Sequence, residues 1–363
     1  MIRFLATIIF LGFYQLANAQ CAESLNKARD EFNAGHLNAI SGMLDECRKN
    51  GTKEQQIEAY KLLTITYLYL DDPYGAEQSF LALLEVEPEY RVSENDPIEL
   101  KYLSEKFITT PITSFSVKAG ANFSTVTVLN RNTVGNENDQ NWQYSALTGF
   151  NIMGGLDLHF NKIVSLNFEF EFSSRSYLKE DILFNNEDPQ NLREVRTNFH
   201  GSIPISLKFT YPGLIYYPYI YAGYSPSYTI TSDANVIRNP DLSPEVSEPS
   251  LNLRAMVPDF TQSIILGIGL KRRFGYKYVL IDLRYRLGLT NMLKASAQYD
   301  FTNKAIRDYT FKYGMVSDDY RWNGFELTVG YVIPNYKPRA KNAVTIQTFL
   351  KGLFSKKSEK DDK

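Results

Sequence analysis

The sequence predicts two folded parts in one chain, a helical repeat domain followed by an eight-stranded antiparallel β-barrel that spans a membrane. Apolar residues recur with helical spacing up to about residue 107. After Pro111 they alternate with polar residues for roughly 220 residues, which is the period of β-strands. Short and long connections follow one another between the alternating segments, as in outer-membrane barrels. We therefore expect an α+β multidomain protein.

The composition excludes several other classes of protein. Hydrophobic residues make up 44% of the 363 residues and charged residues 22%, which is too apolar for a disordered chain. The 39 basic and 41 acidic side chains exclude a strongly basic nucleic-acid binder. A mean hydropathy of −0.30 excludes a bundle of apolar membrane helices. It leaves a membrane barrel open, because only every second residue of a barrel strand faces lipid.

The first 19 residues have the pattern of a signal peptide. Arg3 precedes an apolar run from Phe4 to Phe13, and the small residues of Ala17–Ala19 follow. We predict that residues 1–19 are removed on export and that the mature chain begins at Gln20.

Cys21 and Cys47 are the two cysteines of the chain, and export would bring them into an oxidising compartment. This favours a disulfide between them over a metal or redox site. The alternative is a lipid anchor on Cys21. It is disfavoured because Asn18 and Gln20 occupy positions where lipoprotein processing requires an aliphatic and a small residue.

Residues 20–110 are predicted to form a periplasmic helical domain of the tetratricopeptide type. Apolar and small residues match the spacing of one 34-residue repeat at Tyr60, Leu63, Tyr67, Ala76, Phe80, Leu83 and Pro88. A looser helical hairpin precedes this repeat, with its first helix starting at Cys21 and its second ending at Cys47, and a capping helix is expected over Pro97–Phe107. Such repeats bind proteins, so Gln56 and Lys61 are candidate exposed docking residues. The alternative is that the domain is only a spacer.

Residues 111–335 are predicted to form the barrel. Eight segments alternate, namely Phe115–Phe123, Phe150–Phe160, Val164–Ser173, Ser202–Phe209, Tyr216–Tyr228, Ser263–Lys271, Val279–Leu287 and Phe325–Ile333. Short turns are expected at Asn161–Lys162, Pro212–Gly213 and Gly275–Tyr276. Long loops are expected over Asn130–Asn141, Glu180–Asn191, Ser232–Asp259 and Ala295–Trp322. A soluble β-sandwich is the alternative, and it is disfavoured because its strands are usually shorter.

The polar faces of these strands carry nearly balanced charges. Assigned to the barrel interior are the acids Asp157, Glu169, Glu171, Asp282 and Glu326 and the bases Lys118, Arg175, Lys208, Lys271, Arg284 and Arg286. Eight strands leave room inside for packed side chains and not for a wide channel. We therefore predict a charge network that fills the lumen.

The barrel segments resemble the Bacteroidota outer-membrane β-barrel proteins that include the PorT-like family. The resemblance rests on Ser116–Phe123, Pro218–Gly223 and Leu266–Leu270 followed by Asp282–Tyr285, and it covers roughly residues 112–333. It implies a component of protein secretion or gliding machinery, or an accessory subunit of another outer-membrane assembly. The chain departs from the family because about 30 residues follow Ile333.

Residues 336–363 form a basic tail that is predicted to be periplasmic. Ile346, Phe349, Leu350 and Leu353 recur at helical spacing among lysines, which would suit an amphipathic helix against a membrane or a partner. The alternative is a frayed lysine-rich end.

No sequence motif points to catalysis. His159 is expected near the short-turn rim and His200 at a different depth in the membrane, so the two histidines would not meet. Phosphate-binding and metal-binding motifs are not evident. We expect no catalytic residue, metal ion or cofactor.

The prediction is a non-enzymatic barrel in contact with outer-membrane lipids that anchors a docking module for protein partners, with no nucleic acid. The alternative is a stand-alone transport or ligand-binding barrel whose two longest loops, Ser232–Asp259 and the loop before Trp322, form its outer surface.

Overall fold

The computed structural model describes residues 21–132, 142–183, 190–213, 215–240, 246–247, 250–275 and 277–341. The chain divides into two compact units. One unit is Ile112–Asn335, and the other combines the residues up to Pro111 with those from Tyr336 onward. The predicted signal peptide, residues 1–19, lies outside the described residues.

The first unit is helical. Its helices are α1, over residues 21–33, α2 (Ile40–Met43), α3 (Asp45–Asn50), α4 (Lys53–Tyr69), α5 (Pro73–Val86) and α6 (Ile98–Glu105). The second helix of the first hairpin was expected to end at Cys47. Instead it is interrupted at Leu44 and continues to Asn50. In the part of the chain that the structure describes, no helix combines the length and the apolar character needed to cross a bilayer.

Local caps explain where α4 and α5 begin. Thr52 and Gln55 form a reciprocal capping box at the start of α4. The Asp72 carboxylate accepts a hydrogen bond of 2.9 Å from the Gly75 backbone at the start of α5. Asp71 adopts a φ of 55°, the left-handed conformation that reverses the chain between the two helices. Pro73 then occupies the first helical position, where its missing N–H needs no partner.

Two apolar clusters hold these helices together. Cys21 and Cys47 form a disulfide, as the sequence predicts, and their cluster contains Leu63 of α4. The second cluster joins α5 to α6, with Phe80 and Leu100 among its buried members. The lipid anchor on Cys21 that the sequence left as an alternative needs a free thiol, and the thiol of Cys21 is used in the disulfide.

The start of the basic tail belongs to the helical unit. Arg339–Ala340 pair antiparallel with Phe107–Ile108 in a short two-stranded sheet. The Tyr336 hydroxyl donates a hydrogen bond to the Glu89 carboxylate. The tail residues predicted to form an amphipathic helix, Ile346, Phe349, Leu350 and Leu353, lie outside the described residues.

The second unit is an antiparallel ring of eight strands, which confirms the predicted strand number. The strands are β1 (Thr113–Asn130), β2 (Gln143–His159), β3 (Val164–Leu183), β4 (Gln190–Ser202 and Ile205–Thr210), β5 (Tyr216–Pro240), β6 (Phe260–Phe274), β7 (Lys277–Gly288) and β8 (Asp319–Asn335). Each strand pairs with its neighbours in sequence, and β8 pairs with β1 to close the ring. An even strand number places the start of β1 and the end of β8 at the same rim.

Alternation along each strand separates the two faces of the wall. In β3, Glu169 and Glu171 are 1% and 3% exposed, whereas Phe170 between them is 71% exposed. A soluble sandwich would bury its aromatic face and expose its charges. This barrel does the reverse, and that is the arrangement a lipid environment stabilises.

The strands extend further at the long-loop rim than the sequence predicts. β5 continues to Pro240, although the residues from Ser232 onward were expected to be loop. Its last part pairs with β4, from Asn198 opposite Ser232 to Gln190 opposite Pro240. A register shift at Phe199 and His200 precedes this part. The apolar alternation stops at this shift, but backbone pairing between β4 and β5 continues. The sequence pattern therefore does not predict the last part of β5.

The two longest loops, which the alternative interpretation places at the outer surface, also contribute buried residues to a core of their own. Met256 from one loop and Ile306, Tyr309 and Tyr313 from the other are at most 1% exposed. They pack in one cluster with Leu192 and other residues of β4 and β5. Because this cluster is apolar, it holds both loops against the extended strands.

Candidate functional site

The barrel interior is built from charged side chains on opposite walls. The structure places all eleven predicted lumen residues in the interior with at most 6% exposure, namely Lys118, Asp157, Glu169, Glu171, Arg175, Lys208, Lys271, Asp282, Arg284, Arg286 and Glu326. Each makes at least one ion pair with another member of the set. Buried charges are tolerated when they are paired in this way.

The layer nearest the short-turn rim centres on Asp157 of β2. Its carboxylate lies 2.8 Å from Lys208 Nζ and 3.5 Å from Lys271 Nζ. Asn167 donates a further hydrogen bond of 2.7 Å to it. Lys271 is on β6, four strands away around the ring, so this contact crosses the barrel.

The next layer joins β3 to β7, which also lie opposite each other in the ring. Arg284 Nη2 is 2.5 Å from Glu169 Oε2, and Lys118 Nζ is 2.5 Å from Glu169 Oε1. Asp282 completes the layer at 3.7 Å from Lys118 Nζ. The Glu169 carboxylate of β3 thus binds cations from β1 and β7, and these ion pairs link three strands.

The third layer repeats this arrangement one step further along the strands. Arg286 binds Glu171 at 2.6 Å and Glu326 at 2.7 Å. Arg175 lies 3.3 Å from Glu171 and 3.8 Å from Glu326. Two guanidinium groups therefore alternate with two carboxylates across the interior.

Two tyrosines fill the remaining width at the level of Asp282. The hydroxyls of Tyr219 and Tyr221 donate hydrogen bonds of 2.9 and 2.6 Å to the Asp282 carboxylate. Their rings lie against the inward-facing Gly269 and Gly267, where an added Cβ would lie 2.2 Å from the ring carbons. Glycine is needed at both positions because the rings pass directly over the backbone.

A further polar layer near the long loops was not predicted. Lys179 pairs with Asp318 at 2.8 Å, and Arg196 pairs with Glu194 at 2.6 Å. The Tyr309 hydroxyl donates a hydrogen bond of 2.9 Å to Glu194. Burial and the charge of Glu194 raise the pKa of the Tyr309 hydroxyl well above its usual range, which keeps it protonated as a donor. Asp318 and Tyr309 stand in a loop without alternation, so the sequence pattern could not assign them inward.

The packed interior leaves little space between these layers. A cavity of about 10 Å³ is lined by Arg175, Arg286, Trp322 and Glu326 among others. This volume is about what one water molecule requires.

The histidines take different positions. His159 Nε2 lies 2.8 Å from the Ser114 hydroxyl, a contact that the sequence does not predict because the two residues are 45 positions apart. Ser114 is 3% exposed, so a substrate does not reach this hydroxyl in the observed conformation. His200 is buried on β4, and His36 lies 2.7 Å from Glu31 in the helical unit. Among the described residues, no three His, Cys, Asp or Glu side chains are grouped as a metal site requires.

The two predicted docking residues of the helical unit already have intramolecular contacts. Gln56 donates a hydrogen bond of 3.3 Å to the Arg48 carbonyl, and Lys61 pairs with Asp96. Both side chains are half-buried and not fully exposed as expected, because α4 packs between neighbouring helices. Of the repeat residues, Leu63, Ala76, Phe80, Leu83 and Pro88 are buried, and Tyr60 and Tyr67 are partly buried.

The comparisons with known proteins concern the barrel. A family model described as "Outer membrane protein beta-barrel domain" matches residues 113–294, about half of the chain. No curated protein sequence matches the chain.

Three solved barrels are similar in structure. Ail of Yersinia pestis, solved with the heparin analogue sucrose octasulfate, has 13% identity and a TM-score of 0.26 over 61% of this chain and 99% of its own. Neisserial surface protein A has 14% identity and a TM-score of 0.25, over 61% of this chain and 96% of its own. The outer membrane protease OmpT of Escherichia coli has 9% identity and a TM-score of 0.29, over 61% of this chain and 96% of its own.

Proposed function

The chain belongs to the outer membrane protein beta-barrel domain family, and from this premise we propose that it is a non-enzymatic accessory or scaffold subunit of an outer-membrane complex. In this proposal the barrel anchors the protein in the membrane, and the helical unit with the basic tail binds protein partners in the periplasm. The complex is one for protein secretion, outer-membrane assembly or gliding, as the PorT-like resemblance implies.

The observation that carries the proposal is the filled barrel interior. Eleven buried charges pair across the lumen, and the cavity beside Arg175 and Glu326 is about large enough for one water molecule. Side chains that pair across an eight-stranded barrel in this way fill the described interior, so the barrel suits an anchor better than a pore.

The surface of the helical unit supports a role in binding. Tyr74 is 73% exposed at the start of α5, and on α6 Tyr102 is 64% and Ile98 59% exposed. Large apolar side chains on a small soluble unit favour a protein partner. Gln56 and Lys61 would take part where a partner replaces their intramolecular contacts. In the tail, Ile346, Phe349, Leu350 and Leu353 are the proposed contacts.

Affinity purification of the full chain from intact outer membranes tests this function. We expect stoichiometric protein partners that are retained by Lys49→Ala, an exposed control on α3, and reduced by Tyr102→Ser. A clean monomer with the same composition in both variants would contradict the proposal.

A stand-alone transport or ligand-binding barrel is the second candidate. The folded core of the two long loops favours it, since a rigid outer surface suits ligand binding. Steady current steps from the purified chain in planar bilayers would support transport, and a silent membrane would support the anchor.

A further inference from the structure

The outer wall of the barrel contains an apolar groove of about 860 Å³ near the short-turn rim. This volume lies within the range of ~300–1,000 Å³ that is typical of small-molecule sites. The groove is formed by outward-facing side chains of the four adjacent strands β4 to β7. It therefore opens toward lipid and not toward the lumen.

Strand register arranges the lining in two parallel rows. The first row is Phe209, Ile220, Ile268 and Leu283. The second row, one step closer to the rim, is Tyr211, Pro218, Leu270 and Ile281. Pro218 is the smallest side chain of the second row and stands between larger neighbours. Each row runs across the four strands, and the two rows together form a hydrocarbon surface that extends along the strands toward the rim.

An arginine stands at the rim end of this groove. Arg272 follows Ile268 and Leu270 on the outward face of β6, opposite Tyr216 of β5. Its guanidinium lies 4.8 Å from the Phe274 ring centroid and 5.8 Å from that of Tyr216. A lipid-facing cation is strongly unfavourable in the hydrocarbon core and is tolerated at the level of the headgroups. Its place two residues before the end of β6 puts Arg272 at that level.

We propose that this groove binds one anionic phospholipid of the leaflet at the short-turn rim. An acyl chain crosses the two apolar rows along the outward face of β6, past Ile268 and Leu270, and the phosphate group binds Arg272. The ligand must combine a long apolar part with a negative group, because the lining is hydrocarbon and the charge at its end is positive. The proposal depends on the membrane position of the barrel and not on the accessory role.

Native mass spectrometry tests the site with the full chain in nanodiscs of equal parts phosphatidylglycerol and phosphatidylethanolamine. We expect wild-type protein to retain one phosphatidylglycerol as other lipids are stripped. Arg272→Ala should lower this retained fraction at least fivefold, and Arg272→Lys should restore most of it. Ile268→Trp, which fills the groove, should also remove the lipid. Added inorganic phosphate should not displace it, because phosphate lacks the acyl chain.

Two matched variants separate this site from general lipid contact. Lys277→Ala removes another exposed cation at the same rim, which lies 5.5 Å from the Tyr331 ring centroid. Val117→Trp places the same large side chain at a position on β1 that is 66% exposed. Both should retain the lipid like wild type. Equal retention of the two lipids, equal loss in Arg272→Ala and Lys277→Ala, or a protein captured by a photocrosslinker at position 268 would overturn the proposal.

Discussion

Arg284 of β7 and Glu169 of β3 meet across the full width of the barrel, with Nη2 and Oε2 2.5 Å apart. Both side chains are at most 2% exposed, so water does not screen the contact. Their strands lie four positions apart in the ring of eight, which makes this pair a strut between opposite walls. The stability of the barrel should therefore depend on keeping such pairs complete.

Replacing Glu169 with Gln should destabilise the barrel strongly. The change leaves Arg284 and Lys118 without their shortest ion-pair partner, and loss of one member of a buried pair typically costs about 3–5 kcal/mol. Urea unfolding in lipid vesicles, followed by tryptophan fluorescence, measures the free energy of unfolding. Asp259→Asn is the control, because this carboxylate is 55% exposed and its pair with Arg254 should contribute under about 1 kcal/mol. Equal effects of the two variants would refute the strut.

The packing of Tyr219 against Gly269 predicts a position-specific effect of added volume. Gly269→Val would push the ring away from Asp282 and should cost about 1–3 kcal/mol. Gly154→Val is the matched control, since nothing lies within 4 Å of an added Cβ at this position. The same unfolding assay compares both variants. If Gly269→Val is as stable as Gly154→Val, the tyrosine layer is not tightly packed.

The Tyr309 hydroxyl should hold the last long loop in place. Tyr309→Phe removes its hydrogen bonds to Glu194 and Arg196 and leaves two buried charges less satisfied, at about 1–3 kcal/mol. We expect faster protease cleavage of the loop before β8 in the purified, folded chain. Tyr299→Phe is the control because Tyr299 is 62% exposed. Cleavage at the same rate in both variants would show that the hydroxyl does not restrain the loop.

Reduction of the disulfide should weaken the helical unit and leave the barrel unchanged. Cys21 and Cys47 are 26 positions apart, and closing a loop of this size stabilises a fold by about 3 kcal/mol through the unfolded chain. Thermal unfolding of the full chain with and without reductant measures the effect, and a Cys21→Ser, Cys47→Ser double variant should no longer respond. A barrel transition that shifts with reductant would contradict this assignment.

Sequence alone predicts the barrel wall well because its signal is local. Glu169 and Glu171 alternate with Phe168 and Phe170, and this pattern assigns both carboxylates inward without knowledge of their partners. The pairing itself is not local. Arg284 could bind several carboxylates, and only the strand order and register bring it to Glu169.

The interior beyond the alternating segments could not be predicted. Ile306, Tyr309 and Tyr313 have no strand period, and they become buried because their loop folds against extended strands. The contact between Ser114 and His159 likewise depends on the register of β1 and β2. In the helical unit, repeat spacing identifies buried residues such as Ala76. It does not reveal that Lys61 is paired with Asp96.

The mass of the particle that contains this protein in its native outer membrane tests the accessory role most directly. Mass photometry of the chain after gentle extraction with nanodisc-forming polymer gives this mass. We predict a particle of fixed stoichiometry that exceeds a disc holding one 41.6 kDa chain by the mass of at least one further protein, and that shrinks to the single-chain disc in the Tyr102→Ser variant. A single-chain particle in wild-type membranes, with no larger species after crosslinking, would contradict the accessory role.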